Sequence, residues 1–241
     1  YMSNGKNFNN YFGRIYQARY LSGIAAGLNT KTNKIGYVAA MGLDNSEVTG
    51  GIDAFALGIY SVNPDAKVYV KVTNSWYDPK GEEEAAKTLL NMNCDVIAQH
   101  CDTVYPQTLA QEKGVYSIGY NSDMSKEAPE ACLCSVIWNW SAYYTSAVQS
   151  VIDGTWDGSN YYGGMNENLV SITPVADFAV DTTQEKVNVA KQQILSGKNG
   201  VFDGVIETNT GATVGTAGKT LDDSVITGGI NWYFKTVSVI E

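Results

Sequence analysis

Residues 34–72 read KIGYVAAMGLDNSEVTGGIDAFALGIYSVNPDAKVYVKV, and the periodicity of this stretch decides the fold. Lys34 to Ala40 is a short apolar run of the kind that forms a strand buried on both faces. Glu47 to Tyr60 then carries Val48, Ile52, Phe55 and Ile59 at helical spacing. Lys67 to Val72 alternates with period two, the mark of a strand with one wet face near a sheet edge. Strand, helix and strand in so short a span make a parallel pair joined by a right-handed crossover. The same alternation extends outward in both directions. Upstream, Arg14 to Leu28 places Ile15, Ala18, Leu21, Ala25 and Leu28 on one helical face, with Gly23 and Gly27 inside the helix allowing close packing. Downstream, Pro79 and the acids Glu82, Glu83 and Glu84 begin a helix, the Pro suiting its first turn and the acids a solvated start at the positive end of its dipole. Strands follow over 95–98, 115–119 and 133–137, with helices over 105–112 and 141–152. Five strands separated by helices or loops predict an α/β protein built on a parallel sheet. After Asp153-Gly154 the pattern loosens: a turn at 161–164, a strand at 169–172, a helix over 183–195 closed by Gly197, and a Gly- and Thr-rich tail with short strand candidates.

Composition narrows the function classes. Of 241 residues, 44% are hydrophobic, which is enough for a real core and excludes disorder as the main state. Sixteen Lys and Arg against 25 Asp and Glu give a net charge of -9, which argues against a nucleic-acid or anionic-membrane binder. The uncharged stretch 131–152 contains Asn139, Gln149 and two Cys, so it reads as a strand followed by a helix in a soluble protein rather than a membrane span. A single histidine, His100, removes most histidine-based chemistry. The four cysteines lack a metal-ligand spacing and read as free, mostly buried thiols. No glycine-rich phosphate loop follows a strand, and no cofactor or metal is implied. The opening Tyr1-Met2-Ser3-Asn4-Gly5 reads as an internal position of a longer precursor.

In an open parallel sheet, ligands bind beyond the carboxyl ends of the strands. The loops expected there are 41–46, 73–78, 99–103, 120–124 and 138–140, and they bring polar side chains and tryptophans to one rim. That is a binding site's composition, with orienting hydrogen-bonding groups and aromatic plates. The candidates are Trp76, His100, Asp102, Asp123, Trp138, Asn139 and Trp140. Each has a plainer alternative. Trp76 could cap the sheet, Asp102 and Asp123 could be helix N-caps, and His100 lacks the nucleophile and orienting partner that a catalytic base needs.

Read together, Tyr11 to Gly23, Lys34 to Val38, Ser75-Trp76-Tyr77-Asp78-Pro79, Gly119 to Met124, Trp138-Asn139-Trp140 and Asp153-Gly154-Thr155-Trp156 resemble the basic membrane protein family of ABC-transporter substrate-binding lipoproteins. Asn231-Trp232-Tyr233 is similar to a C-terminal segment of its purine-base-binding branch. The resemblance implies the type I periplasmic-binding-protein fold, two Rossmann-like lobes with parallel sheets joined by a hinge and closing over the ligand. It places residues 1–12 at the end of lobe 1 and the first crossover, 13–137 in lobe 2, 138–170 in the returning part of lobe 1, and 171–241 in the last crossover and tail. Most of lobe 1, with its Asp/Asn-rich ligand loop and second stacking aromatic, has no counterpart in this sequence.

Family members stack a purine on an aromatic at the position of Trp76 and bind polar ligand edges through the acid matching Asp123 and a side chain matching Trp138. Nucleoside-binding members tend to carry Lys where this chain has Trp138, so the resemblance implies a purine base over a nucleoside. His100 and Asp102 replace small residues and add a donor and an acceptor that could read base edges. The expectation is a non-catalytic, monomeric, extracytoplasmic protein, lipid-anchored or periplasmic, that hands a purine to an ABC permease. The rivals are a sugar binder of the same fold, a nucleoside-processing α/β enzyme using His100 and Asp102, and a sensor domain.

Overall fold

In the computed structural model, which describes residues 2–241, the chain runs β1 (Tyr11–Gly13), α1 (Ile15–Asn29), β2 (Lys34–Ala39), α2 (Ser46–Val62), β3 (Lys67–Val72), α3 (Pro79–Asn91), β4 (Val96–His100), α4 (Tyr105–Glu112), β5 (Tyr116–Asn121), β6 (Cys132–Trp138), α5 (Ser141–Ile152), β7 (Tyr161–Gly163), β8 (Val170–Ile172), α6 (Thr183–Leu195), β9 (Asp203–Glu207), β10 (Thr213–Thr220), α7 (Asp223–Gly228) and β11 (Val237–Ile240). Seven strands form one sheet in the order β11-β3-β2-β4-β5-β6-β8. All neighbours pair in parallel except β8, which runs antiparallel to β6. The α/β class and the parallel sheet expected from the sequence are therefore present.

The apolar run of β2 is explained by burial on both faces. Ile35, Tyr37 and Ala39 pack with α1 and α2 residues such as Leu21, Ile52 and Phe55. Val38 and Ala40 point the other way, onto Ala85, Ala86 and Leu89 of α3 and Leu109 of α4. The glycines of α1 set its distance from α2: a Cβ on Gly23 would stand 2.1 Å from the Phe55 carbonyl oxygen, and one on Gly58 2.1 Å from that of Tyr20.

Three features depart from the sequence reading. β3 is one strand in from the edge, because the tail returns as β11 and pairs Val237 with Val68 through Ile240 with Lys71. The turn-like 161–164 segment contains β7, which pairs in parallel with β1 as a separate two-stranded sheet. Glu82 is wholly buried rather than solvated: its Oε1 accepts from Asp78 N at 3.1 Å while Oε2 accepts from Thr103 N at 3.1 Å and Thr103 Oγ1 at 2.6 Å. Glu83 and Glu84 do face solvent, paired with Lys87. Among the described residues no helix is long and apolar enough to cross a membrane.

Chain order fixes the crevice. From β2 the chain moves through α2 to β3 on one side, then returns past β2 through α3 to β4 on the other. The crossovers therefore lie on opposite faces at β2 and β4, leaving a crevice at the carboxyl tips of those two strands, where open α/β sheets bind ligands.

Candidate functional site

The crevice is built around Glu47. Beyond the tip of β2, Asn45 caps α2 by accepting from Val48 N at 3.1 Å. That pins the loop and stands Glu47 in the first helical turn, where the helix dipole favours a carboxylate. Its side chain is 22% exposed, and Oε1 accepts from the Tyr120 hydroxyl at 3.3 Å and lies 3.5 Å from His100 Nε2. Tyr120 Oη in turn accepts from Trp138 Nε1–H at 3.4 Å. One line of polar contacts thus joins the tips of β2, β4, β5 and β6.

Behind it lies a buried polar group. His100 has no exposed surface, and its Nδ1 is 3.2 Å from the Tyr37 hydroxyl. Its ring is edge-on to Trp76, with centroids 5.8 Å apart, and to Tyr120 at 4.5 Å. Burial first, and then the Arg19 cation, lower its pKa to about 4, so the imidazole is neutral at neutral pH. His100 Nε2 has no hydrogen bond of good geometry, the 3.5 Å approach to Glu47 included. Arg19 is also wholly buried. It donates Nη1–H to the Gln99 carbonyl at 2.8 Å and lies 4.3 Å from the centroid of the Tyr120 ring, with Nε and Nη2 unpartnered among the described residues.

The structure separates the seven sequence-predicted residues into groups. Trp76, His100 and Asp102 lie together at the tips of β3 and β4, with Asp102 N donating to the Trp76 carbonyl at 2.9 Å. Trp76 is half-buried and Asp102 exposed. Asp102 is not the cap of α4; its Oδ1 accepts from Asn121 Nδ2 at 3.4 Å, and burial, then the Glu82 charge, raise its carboxyl pKa. Asp123 stands apart, capping a turn by accepting from Ser125 N at 3.0 Å. Trp138 and Trp140 stack on one another at 4.5 Å and 11°, with Phe12 and Tyr11 against them. Asn139 ties this segment down, donating Nδ2–H to the Asn168 carbonyl at 2.9 Å and accepting from Ser141 Oγ at 2.5 Å. His100 therefore sits behind the rim, in reach of the crevice only through its neighbours.

A cavity of about 460 Å³ opens beside Glu47, toward the β1–β7 sheet. Its lining includes Tyr11, Phe12, Tyr16, Asp44, Glu47 and Tyr162, and none of the seven predicted residues. Sequence reasoning placed Tyr120 in a strand-tip loop without singling it out, and passed over Glu47 because an acid in a first helical turn has an ordinary explanation, and over Arg19 because it lies within a helix. The available signal was positional: Glu47 follows directly on the first strand-tip loop. Among the described residues no group of three His, Cys, Asp or Glu side chains is placed to hold a metal ion. The four cysteines are free and buried, and burial raises their thiols, Cys94 to about 12.

With this geometry in view, comparison with known proteins is informative. Residues 1–201 match the family described as ABC transporter substrate-binding protein PnrA-like. A purine-binding protein of Brucella abortus (strain 2308) is 36% identical over 231 residues, covering 96% of this chain and 65% of its own length. A Haloferax volcanii protein described as an ABC transporter glucose-binding protein, TsgA13, is 37% identical over 199 residues, covering 83% of this chain and 50% of its own. The chain thus spans between half and two thirds of the length of these relatives. Among solved structures, an ABC transporter solute-binding protein from Aeropyrum pernix K1 superposes with a TM-score of 0.69 at 17% identity, over 80% of this chain and 66% of that one, a likeness of fold alone.

Proposed function

Because the chain belongs to the family of PnrA-like ABC transporter substrate-binding proteins, we propose that it captures a purine outside the cytoplasm, a free base in preference to a nucleoside, and delivers it to an ABC permease without catalysing a reaction. The observation that carries this reading is the 36% identity to a purine-binding protein across 96% of the chain. The rim is suited to a flat, polar-edged ligand. Trp76 offers a half-exposed ring beside Asp102. Trp138 and Trp140, stacked as one unit, form an aromatic wall on the other side, anchored by Asn139. Lobe closure then desolvates the base between aromatic faces, while Asp102, Asp123 and the neighbouring polar groups satisfy its nitrogen edges, His100 acting from behind. An unpaired edge in the closed site costs about 1–3 kcal/mol, which is the source of base discrimination. A ring at Trp138, in place of a cation, disfavours ribose.

The test is a thermal-shift titration of the full-length protein with adenine, guanine, hypoxanthine, their nucleosides and glucose. A bound base at a hundred times its dissociation constant adds about 2.7 kcal/mol of stability, and Trp76→Ala weakens that binding by about 1–3 kcal/mol, on the scale of base stacking on aromatic side chains. No shift with any purine overturns the proposal. A shift with glucose alone establishes the sugar reading, which the Haloferax relative favours.

A further inference from the structure

We infer that Glu47 is the hydrogen-bond acceptor that reads a ring or amino N–H of the bound heterocycle, its Oε1 held by Tyr120 and faced by His100 while Oε2 is turned to the ligand. This rests on the purine reading and deepens it.

Four observations converge on Glu47. It lies at the switch point and, with Asp44, Asn45 and Ser46 of the preceding loop, also lines the 460 Å³ cavity, and it alone of these four contacts Tyr120 and His100. Its Oε1 is engaged by Tyr120, and among the described residues no donor meets Oε2. His100 is wholly buried and its Nε2, without a hydrogen bond, is aimed at this carboxylate from 3.5 Å. The other ring nitrogen, Nδ1, is 3.2 Å from the Tyr37 hydroxyl, which fixes the plane of the imidazole and so the direction in which Nε2 points. Lastly, Arg19 is a buried cation with no ion pair among the described residues, and it shares Tyr120 as a neighbour with Glu47. Its field, after burial, keeps a proton off His100.

The other rim carboxylates are less suited to this task. Asp123 and Asp102 each take one donor, Ser125 N and Asn121 Nδ2, but both stand exposed and neither lines the cavity. A half-buried acceptor held by Tyr120 selects by what it lacks. A ligand that presents an N–H to Oε2 satisfies it, whereas one alkylated at that nitrogen leaves a desolvated acceptor unpaired.

The experiment measures dissociation constants for the wild-type full-length protein and for Glu47→Gln, with the base bound most tightly by the wild type and with each of its singly N-methylated isomers. In the wild type, one isomer is expected to lose about tenfold or more, which corresponds to about 1.4 kcal/mol. Glu47→Gln should lose a similar factor for the parent base, yet bind that one isomer as the wild type does, with an unchanged melting temperature. Parent-base affinity within about twofold of wild type overturns the inference, as does an equal loss for the parent base and every isomer, which marks a structural role. Should Glu47→Gln fail to fold, Glu47→Asp, which withdraws the acceptor by one methylene, is held to the same pattern. A wild-type protein that binds no purine fails at the first titration, before any variant is made, and that result belongs to the purine reading rather than to Glu47.

Discussion

Asp53 and His100 are both wholly buried, and they push stability in opposite directions with pH. Asp53 Oδ1 accepts from Phe234 N at 2.7 Å, while Oδ2 has no hydrogen-bond partner. Burial raises its pKa well above 3.8, outweighing the Phe234 hydrogen bond. The native state therefore keeps a proton that the unfolded chain releases above 3.8, and stability declines as pH rises toward the folded pKa. His100 has the reverse sign. Its pKa falls from 6.5 to about 4, so between those values the unfolded chain binds the extra proton, and stability is lost as pH falls through that window. The full loss is on the order of 3 kcal/mol. Chemical denaturation from pH 4 to 8 should show Asp53→Asn gaining on the wild type as pH rises and His100→Gln gaining as pH falls. Parallel curves for wild type and variants would refute both assignments. Little of this was legible in the sequence. A histidine just past a strand reads as a rim residue by position, but two more residues of β4, with Trp76 and Tyr120 folded over it, put it inside. Asp53 reads as an ordinary helical acid until the tail is seen to donate to it.

The α1–α2 pair shows what periodicity can specify. Spacing alone located both helices, and Gly23 and Gly27 marked α1 for close packing, because each helix buries a continuous apolar face against β2. At an exposed helical site, Gly→Ala gains roughly 0.5–1 kcal/mol from backbone entropy. At Gly58 the added methyl would stand 2.1 Å from the Tyr20 carbonyl oxygen, a backbone atom that moves only if the helices part. Overpacking of this kind costs about 1–3 kcal/mol, which exceeds the gain. Gly58→Ala is therefore expected to lower stability by about 1–2 kcal/mol in a urea melt at unchanged m-value, and a variant more stable than wild type would show that the helices are not in contact there. The same spacing rules gave β2 to β6 nearly to their ends. They could not give β7, whose three residues carry no pattern of their own and become a strand only through pairing with Tyr11 to Gly13, far away in sequence. The candidate site was half legible for the same reason. Strand-tip loops follow from the strands, whereas Glu47, Tyr120 and Arg19 matter through contacts made across elements.

At the scale of the whole molecule, the tail from 201 to 241 is part of the body it returns to. Its Gly- and Thr-rich composition reads as loose chain, and the β9–β10 hairpin is largely exposed. Beyond it, however, Ile226, Ile230, Tyr233, Phe234 and Val237 are buried in the main core, and Phe234 packs edge-on against Tyr60 of α2 at 5.4 Å. β11 then covers β3, so the sheet's edge is a strand from the far end of the chain. At the crevice mouth, Arg14 binds Asp223 at the start of α7 through Nε and Nη2 at 3.1 and 2.5 Å, and Ser46 Oγ donates to the Thr227 carbonyl. The tail therefore braces the loop that presents Glu47. Removing residues 230–241 strips four buried hydrophobic side chains, each worth about 1.5–3 kcal/mol, and leaves the Asp53 carboxyl without its donor. That is comparable with the whole stability of a domain, about 5–15 kcal/mol. A chain ending at residue 229 should therefore lose its cooperative thermal transition, followed by near-ultraviolet circular dichroism, and with it any purine-induced shift. Retention of a sharp transition near the wild-type temperature would mean that the tail is an appendage and that α2 and β3 hold the crevice without it.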